Sequence, residues 1–147
     1  MIADFGLSKQ LTETATKSNV LGMPAYVDPQ CYKNDHYKKN EKSDIYSLGV
    51  LLWEITSGNP PFLKIESDYA IIVKIANQGI REKPIIDTPS AYANLYEKCW
   101  DDDPNKRPTI DDVFDILEKI SLRLNTNEDI SKISELNLFL ENQIGKL

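Results

Sequence analysis

The 147-residue chain is short of several things, and each scarcity excludes a class of protein. It has two cysteines, Cys31 and Cys99, far apart in sequence, and one histidine, His36. A structural zinc site needs several such ligands at close spacing, so none is expected. No run reaches the roughly 18 apolar residues that span a bilayer, and no positively charged leader precedes an apolar stretch. Basic charge is outweighed: 17 Lys and Arg against 23 Asp and Glu leave a net charge of −6. That balance argues against binding nucleic acid or an anionic membrane through a basic face. The densest basic cluster, Lys38-Lys39 and Lys42, is interrupted by Glu41 and Asp44 and reads as a solvated loop. An intracellular, cytoplasmic, reducing setting is the expectation. No internal repeat or low-complexity tract occurs.

With 41% hydrophobic residues the chain can bury one core. Its first 40 residues show little helical period. Thr12, Thr14, Thr16 and Ser18 make a hydroxyl-rich loop, and Gly22, Pro24 and Pro29 interrupt any regular helix. From Ser43 the pattern changes. Ser43 or Asp44 can cap a helix running to about Thr56, stopped by Ser57-Gly58-Asn59-Pro60. This helix is apolar on every side, which places it in the middle of a domain. A second helix starts near Ser67, with Ile72, Ile75 and Ala76 on one face and Gly79 as its stop. A third follows Pro89 and stacks Tyr92, Leu95, Tyr96, Cys99 and Trp100. A fourth begins at Thr109, near Asp112, with a stripe from Ile110 through Val113, Phe114, Leu117 and Ile120 to Leu124. Asn125-Thr126-Asn127 breaks that pattern. A last stripe, Ile130, Ile133, Leu136, Leu140, Ile144 and Leu147, predicts a tail helix that packs on the domain or pairs with a partner.

The order of short motifs carries more than any one of them. Asp4-Phe5-Gly6 comes first, then Gly22-Met23-Pro24-Ala25-Tyr26-Val27-Asp28-Pro29-Gln30. Ser43-Asp44-Ile45-Tyr46-Ser47-Leu48-Gly49 opens the apolar helix, and Pro60-Pro61-Phe62 follows it. Cys99-Trp100 and Asp103-Pro104-Asn105-Lys106-Arg107-Pro108-Thr109 close the series. This ordered set resembles the second half of a eukaryotic protein kinase domain, from the magnesium-binding turn onward. The resemblance covers about residues 1–124 and leaves 125–147 as a tail. It implies a mainly α fold, the helical C-terminal lobe of the kinase fold, truncated at its start. The Cys99 to Pro108 stretch is similar to the tyrosine-kinase-like group, whereas Gly22 to Tyr26 is closer to the serine/threonine side.

The resemblance also assigns roles. Asp4 would hold the magnesium that bridges the phosphates of ATP, since a hard cation takes a carboxylate oxygen. Phe5 would pack inward and Gly6 would allow the turn. Leu7 to Asn19 corresponds to the activation loop, where a phosphate on Thr12, Thr14, Thr16 or Ser18 can order the segment against arginine. Gly22, Met23, Pro24, Ala25 and Tyr26 correspond to the stretch that supports the protein substrate beside its phosphoacceptor. Asp44 matches the aspartate that fixes the catalytic loop, and it also suits a helix start.

Three residues depart from the family pattern. Met23 stands where serine/threonine kinases usually have threonine and tyrosine kinases proline. Asp28 replaces an alanine, and Gln30 replaces the glutamate that pairs with the arginine matched by Arg107. A buried cation without its anion can cost about 3–5 kcal/mol. Either Asp28 supplies the charge or stability falls.

Phosphoryl transfer in this family also needs a glycine-rich loop, a strand lysine with its glutamate, and a catalytic loop bearing a base and an asparagine. None is present in the 147 residues. The expectation is a kinase domain fragment, inactive alone, whose parent activity is ATP-dependent phosphorylation of protein Ser/Thr, or Tyr, hydroxyls. The alternative is a noncatalytic interaction module that binds signalling partners. A face of the apolar helix carrying some of Leu48, Leu51, Leu52 and Ile55 is expected to lie open or only partly covered. Self-association or aggregation through it is favoured over coverage by the tail stripe from Ile130 to Leu147.

Overall fold

The computed structural model describes residues 23–123 and 127–144. Prolines shape its first part. Pro24 opens a single 3-10 turn, Pro24–Tyr26, and Pro29 precedes the one-turn helix α1, Gln30–Lys33. The central helix α2 then runs over Glu41–Ser57. Its cap is Asn40, not Ser43 or Asp44. The Asn40 side chain accepts from the amides of Lys42 and Ser43, while Ser43 Oγ accepts from the Asn40 amide. This reciprocal capping box sits upstream of the first apolar residue, so the hydrophobic period alone places the start too late. Gly58 ends α2 in the left-handed conformation, φ 70°, where a side chain would be strained.

Helix α2 is buried along most of its length: Ile45, Tyr46, Leu48, Val50, Leu52 and Trp53 all face neighbours. The open face expected from the sequence is narrower than that. Leu48 and Leu52 are buried, Leu51 is half-buried, and Ile55 at the far end is exposed.

Helix α3, Asp68–Ile72, is capped by Ser67 and passes into a π-helical turn, Val73–Asn77. Its inward residues are Ile71, Ile75 and Ala76; Ile72 is only half-buried, because Ile71 rather than Ile72 stands one turn before Ile75. Helix α4, Ser90–Cys99, buries Tyr92, Ala93, Leu95, Tyr96 and Cys99 against α2. The two helices meet at Gly49, where an added Cβ would come within 2.7 Å of Cys99 Cβ and 3.0 Å of the Tyr96 carbonyl. Tyr92 locks the crossing by donating its hydroxyl to Leu52 O at 2.8 Å.

Helix α5, Ile110–Arg123, is capped by Thr109 and Asp112, which exchange backbone-to-side-chain hydrogen bonds. Val113, Leu117 and Ile120 form its buried stripe. Leu124, expected to continue it, lies outside the described residues. The tail forms helix α6, Asn127–Ile144, which packs on α5. Leu136 and Leu140 of that helix are 3% and 1% exposed and share one core with α2, α4 and α5. The tail therefore covers α5 rather than the central helix. The side chains of Ile130, Ile133 and Ile144, and Leu147 altogether, lie outside the described residues. The fold is mainly helical, with no strand among the described residues. No described helix is long and apolar enough to cross a membrane.

Candidate functional site

The most constrained side chains in the described structure lie beneath Met23–Gln30. Asp28 and Arg107 form a two-pronged ion pair there, Nη1 to Oδ2 at 2.8 Å and Nη2 to Oδ1 at 3.0 Å, with neither side chain exposed. Arg107 also donates to the carbonyls of Lys42, Asp101 and Asp102, so every N–H of the guanidinium finds an oxygen. Asp28 accepts in addition from Ser43 Oγ, Tyr37 Oη and the Gln30 amide. Burial pushes the Asp28 carboxyl up. The hydrogen bonds from Arg107, Gln30 and Ser43, with the charge of Arg107, outweigh it and leave the group below its ordinary value of 3.8. The structure therefore gives the charge for Arg107 to Asp28. Gln30 turns away, its amide donating to Asp102 O at 2.8 Å.

The segment itself is pinned to α2. Pro24 and Ala25 are buried, while Met23 and Tyr26 are half-buried. Ser47 Oγ donates to Tyr26 O at 2.6 Å, and the Tyr26 hydroxyl donates to Glu54 Oε2. Glu54 belongs to no motif that assigns it a role, although an acid embedded in so apolar a helix signals a partner. Ser43, Ser47 and Tyr37 leave no such signal, because hydroxyls are common on any polar loop or helix start.

A second layer surrounds Tyr46, which is fully buried. The guanidinium of Arg81 lies 5.3 Å from its ring centroid and that of Arg107 lies 5.1 Å away. Burial pushes the Tyr46 phenol up to about 12, against the pull of the two arginines, so it stays neutral. Asp102 Oδ1 is 3.7 Å from Arg81 Nη2 and 2.6 Å from Lys33 Nζ.

Asp44 stands apart. It is half-buried in the first turn of α2; its amide donates to Asn40 O at 3.2 Å, and its carboxylate makes no hydrogen bond to a described residue. Burial raises its carboxyl above the ordinary value, Lys39 opposes the rise, and Glu41 adds to it. Asp4, Phe5, Gly6, Thr12, Thr14, Thr16, Ser18 and Gly22 lie outside the described residues. Among the described residues no group of three or more His, Cys, Asp or Glu is arranged to hold a metal. Chemically, the described arrangement can hold a segment of chain in a fixed shape; it presents no activated nucleophile.

The family model for the protein kinase domain matches residues 1–116, which contain the pinned segment, Asp44 and the Asp28–Arg107 pair. The chain belongs to the protein kinase domain family. Among its curated relatives is a "Probable serine/threonine-protein kinase" of Dictyostelium discoideum, 36% identical over 123 residues, which cover 77% of this chain and 7% of that protein. Another from the same organism is a "Probable LIM domain-containing serine/threonine-protein kinase", 36% identical over 120 residues, 82% of this chain and 12% of the relative. Mitogen-activated protein kinase kinase kinase 12 of Rattus norvegicus is 33% identical over 108 residues, 74% of this chain and 12% of the relative. The kinase chain thus spans a small part of the length of these relatives. Kinases of this family use ATP and magnesium.

Proposed function

We propose that these 147 residues form the activation segment and helical lobe of a serine/threonine protein kinase of the tyrosine-kinase-like group. In this reading Gly22, Met23, Pro24, Ala25 and Tyr26 support the residue next to the phosphoacceptor of a protein substrate. Asp4 holds magnesium on ATP, and Thr12, Thr14, Thr16 or Ser18 take a regulatory phosphate. The observation that carries the reading is the Met23–Gln30 segment fastened to the central helix through Tyr26 and to the loop before α5 by the buried Asp28–Arg107 pair, within a match to the protein kinase domain. A substrate platform must keep its shape while a peptide arrives and leaves, and this one is fixed at both ends.

Phosphoryl transfer depends on positioning and electrostatics supplied by a lysine, a base and a second metal ligand. The 147 residues contain no motif for these, so the chain by itself transfers no phosphate in this reading. The half-buried carboxylate of Asp44, without a hydrogen bond among the described residues, supports it too, being suited to accept amides of a loop supplied by further sequence. It equally favours a second reading, a noncatalytic half-domain in which a partner protein takes that place.

The test is radiolabelled ATP with the purified chain, beside sequencing of the transcript upstream of the Met1 codon and assay of any longer product. The chain alone should incorporate nothing, and a longer product should label serine and threonine. Magnesium-dependent labelling by the chain alone, abolished by Asp4→Ala, would overturn the claim that it is inactive. Labelling of tyrosine only would overturn the serine/threonine assignment. An unlabelled longer product that captures a protein through the Asp44 face would establish the second reading.

A further inference from the structure

We propose that Asp102 is a positioning residue for the substrate-supporting segment, acting through α1. The inference rests on the reading of Met23–Tyr26 as that segment. Asp102 lies in the loop between α4 and α5, far from the segment in sequence, yet it touches α1 in two ways. Its carboxylate accepts from Lys33 Nζ at 2.6 Å on both oxygens, and its carbonyl accepts from the Gln30 side-chain Nε2 at 2.8 Å. These contacts hold the first and last residues of a helix four residues long. A single helical turn has little stability of its own, so its place is set by what grips it.

The grip is passed on to the segment. Tyr32, in the middle of α1, donates its hydroxyl to Pro24 O at 3.3 Å, and its own amide is bonded to Pro29 O at 3.0 Å. A line of contacts therefore runs from Asp102 through Lys33 and Tyr32 to the buried turn at Pro24–Tyr26. Asp28 does not duplicate it. Its carboxylate is taken up by Arg107, Ser43, Tyr37 and the backbone amide of Gln30, none of which belongs to the far end of α1. The far end of α1 depends on Asp102 alone among the described ion pairs. Arg81, against the same carboxylate oxygen at 3.7 Å and capping Ile75 O and Ile80 O, aims Asp102 by fixing where that oxygen sits.

Native-state amide exchange of the whole 147-residue chain, read residue by residue by NMR, tests this without requiring kinase activity, so its failure is distinct from failure of the functional reading. Asp102→Asn keeps the shape and the carbonyl but removes the charge. It should speed exchange at Tyr32, Lys33, Asn34 and Tyr26 by about three- to tenfold, with α2 and α5 unchanged. Asp102→Glu should keep protection near that of the parent chain. In a Lys33→Gln background, Asp102→Asn should add less than half of its effect alone. Full additivity, an increase spread evenly over the chain, or no increase at all would overturn the proposal. So would loosening of α1 that leaves Tyr26 as protected as before, because the effect would then stop short of the segment.

Discussion

Asp28 and Arg107, 79 residues apart in sequence, are joined through two charge-assisted bonds at a point no water reaches. The pair ties the start of the described chain to the loop before α5, so it closes the lobe. Truncating one partner leaves the other charge buried. Asp28→Asn should cost about 3–5 kcal/mol, a large part of the roughly 5–15 kcal/mol a domain possesses. Urea denaturation at neutral pH measures it. The pH dependence has a definite sign. The folded carboxyl titrates below its ordinary value of 3.8, so the unfolded chain binds the proton first. The contribution is present above that value and is lost as pH falls through the folded one. Parent stability should drop across that acid window, and Asp28→Asn should flatten the drop. An equal slope in both would count against the pair as the source.

Gly49→Ala should be among the most damaging small substitutions. The new methyl would meet Cys99 Cβ at 2.7 Å, the Tyr96 carbonyl at 3.0 Å and the Trp100 amide at 3.1 Å. Two of those three are backbone atoms, one in the last turn of α4 and one just past its end, and they cannot move aside without shifting the helix. A loss of about 1–3 kcal/mol is expected by thermal melting. Cys99→Ala in the same chain should recover little of the loss, because alanine keeps the Cβ that the new methyl meets.

Gln30→Glu separates what the sequence reveals from what it hides. Family pattern alone suggests that restoring a carboxylate here restores a missing pair. The structure has the pair already, two residues earlier, and uses the Gln30 amide as a donor to Asp102 O. A carboxylate would face that carbonyl without a proton to give, close to Asp102. The substitution should lower stability by about 0.5–1.5 kcal/mol, where a gain would mean Arg107 re-partners.

The helices were legible because period and punctuation agree: Gly58 stops α2, Thr109 starts α5, and Tyr92 to Cys99 repeat at three and four. The start of α2 was not, since Asn40 acts through its side chain and leaves no hydrophobic mark. For the site, Asp28 was readable as a candidate for Arg107, but its direction was not. Glu54 signals a partner without saying which, and Lys33, Arg81 and Asp102 were illegible because each pairing depends on how separate elements pack.

Asp44→Asn should stabilise the isolated chain at neutral pH. Burial raises the folded carboxyl above its ordinary value, so the charged form is disfavoured in the fold. That cost is fully present above the folded value and disappears as pH falls through the unfolded one. The variant's melting temperature should exceed the parent's at pH 7, and the difference should shrink toward pH 3. The group is only half-buried, so solvent screening keeps the gain small. A lower melting temperature at neutral pH would mean that the carboxylate has a favourable role at the helix start.

The tail helix gives the last prediction. Leu136 and Leu140 are 3% and 1% exposed, and they complete a core whose α5 side is Val113, Leu117 and Ile120. A chain ending at Asn125 would return the facing α5 stripe to water. Each large apolar side chain that loses burial forfeits about 1.5–3 kcal/mol. Removing two such leucines and uncovering their partners therefore takes away much of what a domain this size has. The shortened chain should melt at lower temperature and, near neutral pH, elute as oligomer or aggregate through the bared α5 face. The full chain still exposes Ile55 at the end of α2, at 42%, but single exposed apolar residues are ordinary and do not by themselves drive association. Gel filtration with light scattering on both lengths decides the matter. A monomer only when the tail is present is the expected result. Equal melting temperatures and monomers at both lengths would show that Leu136 and Leu140 add nothing to the core they occupy.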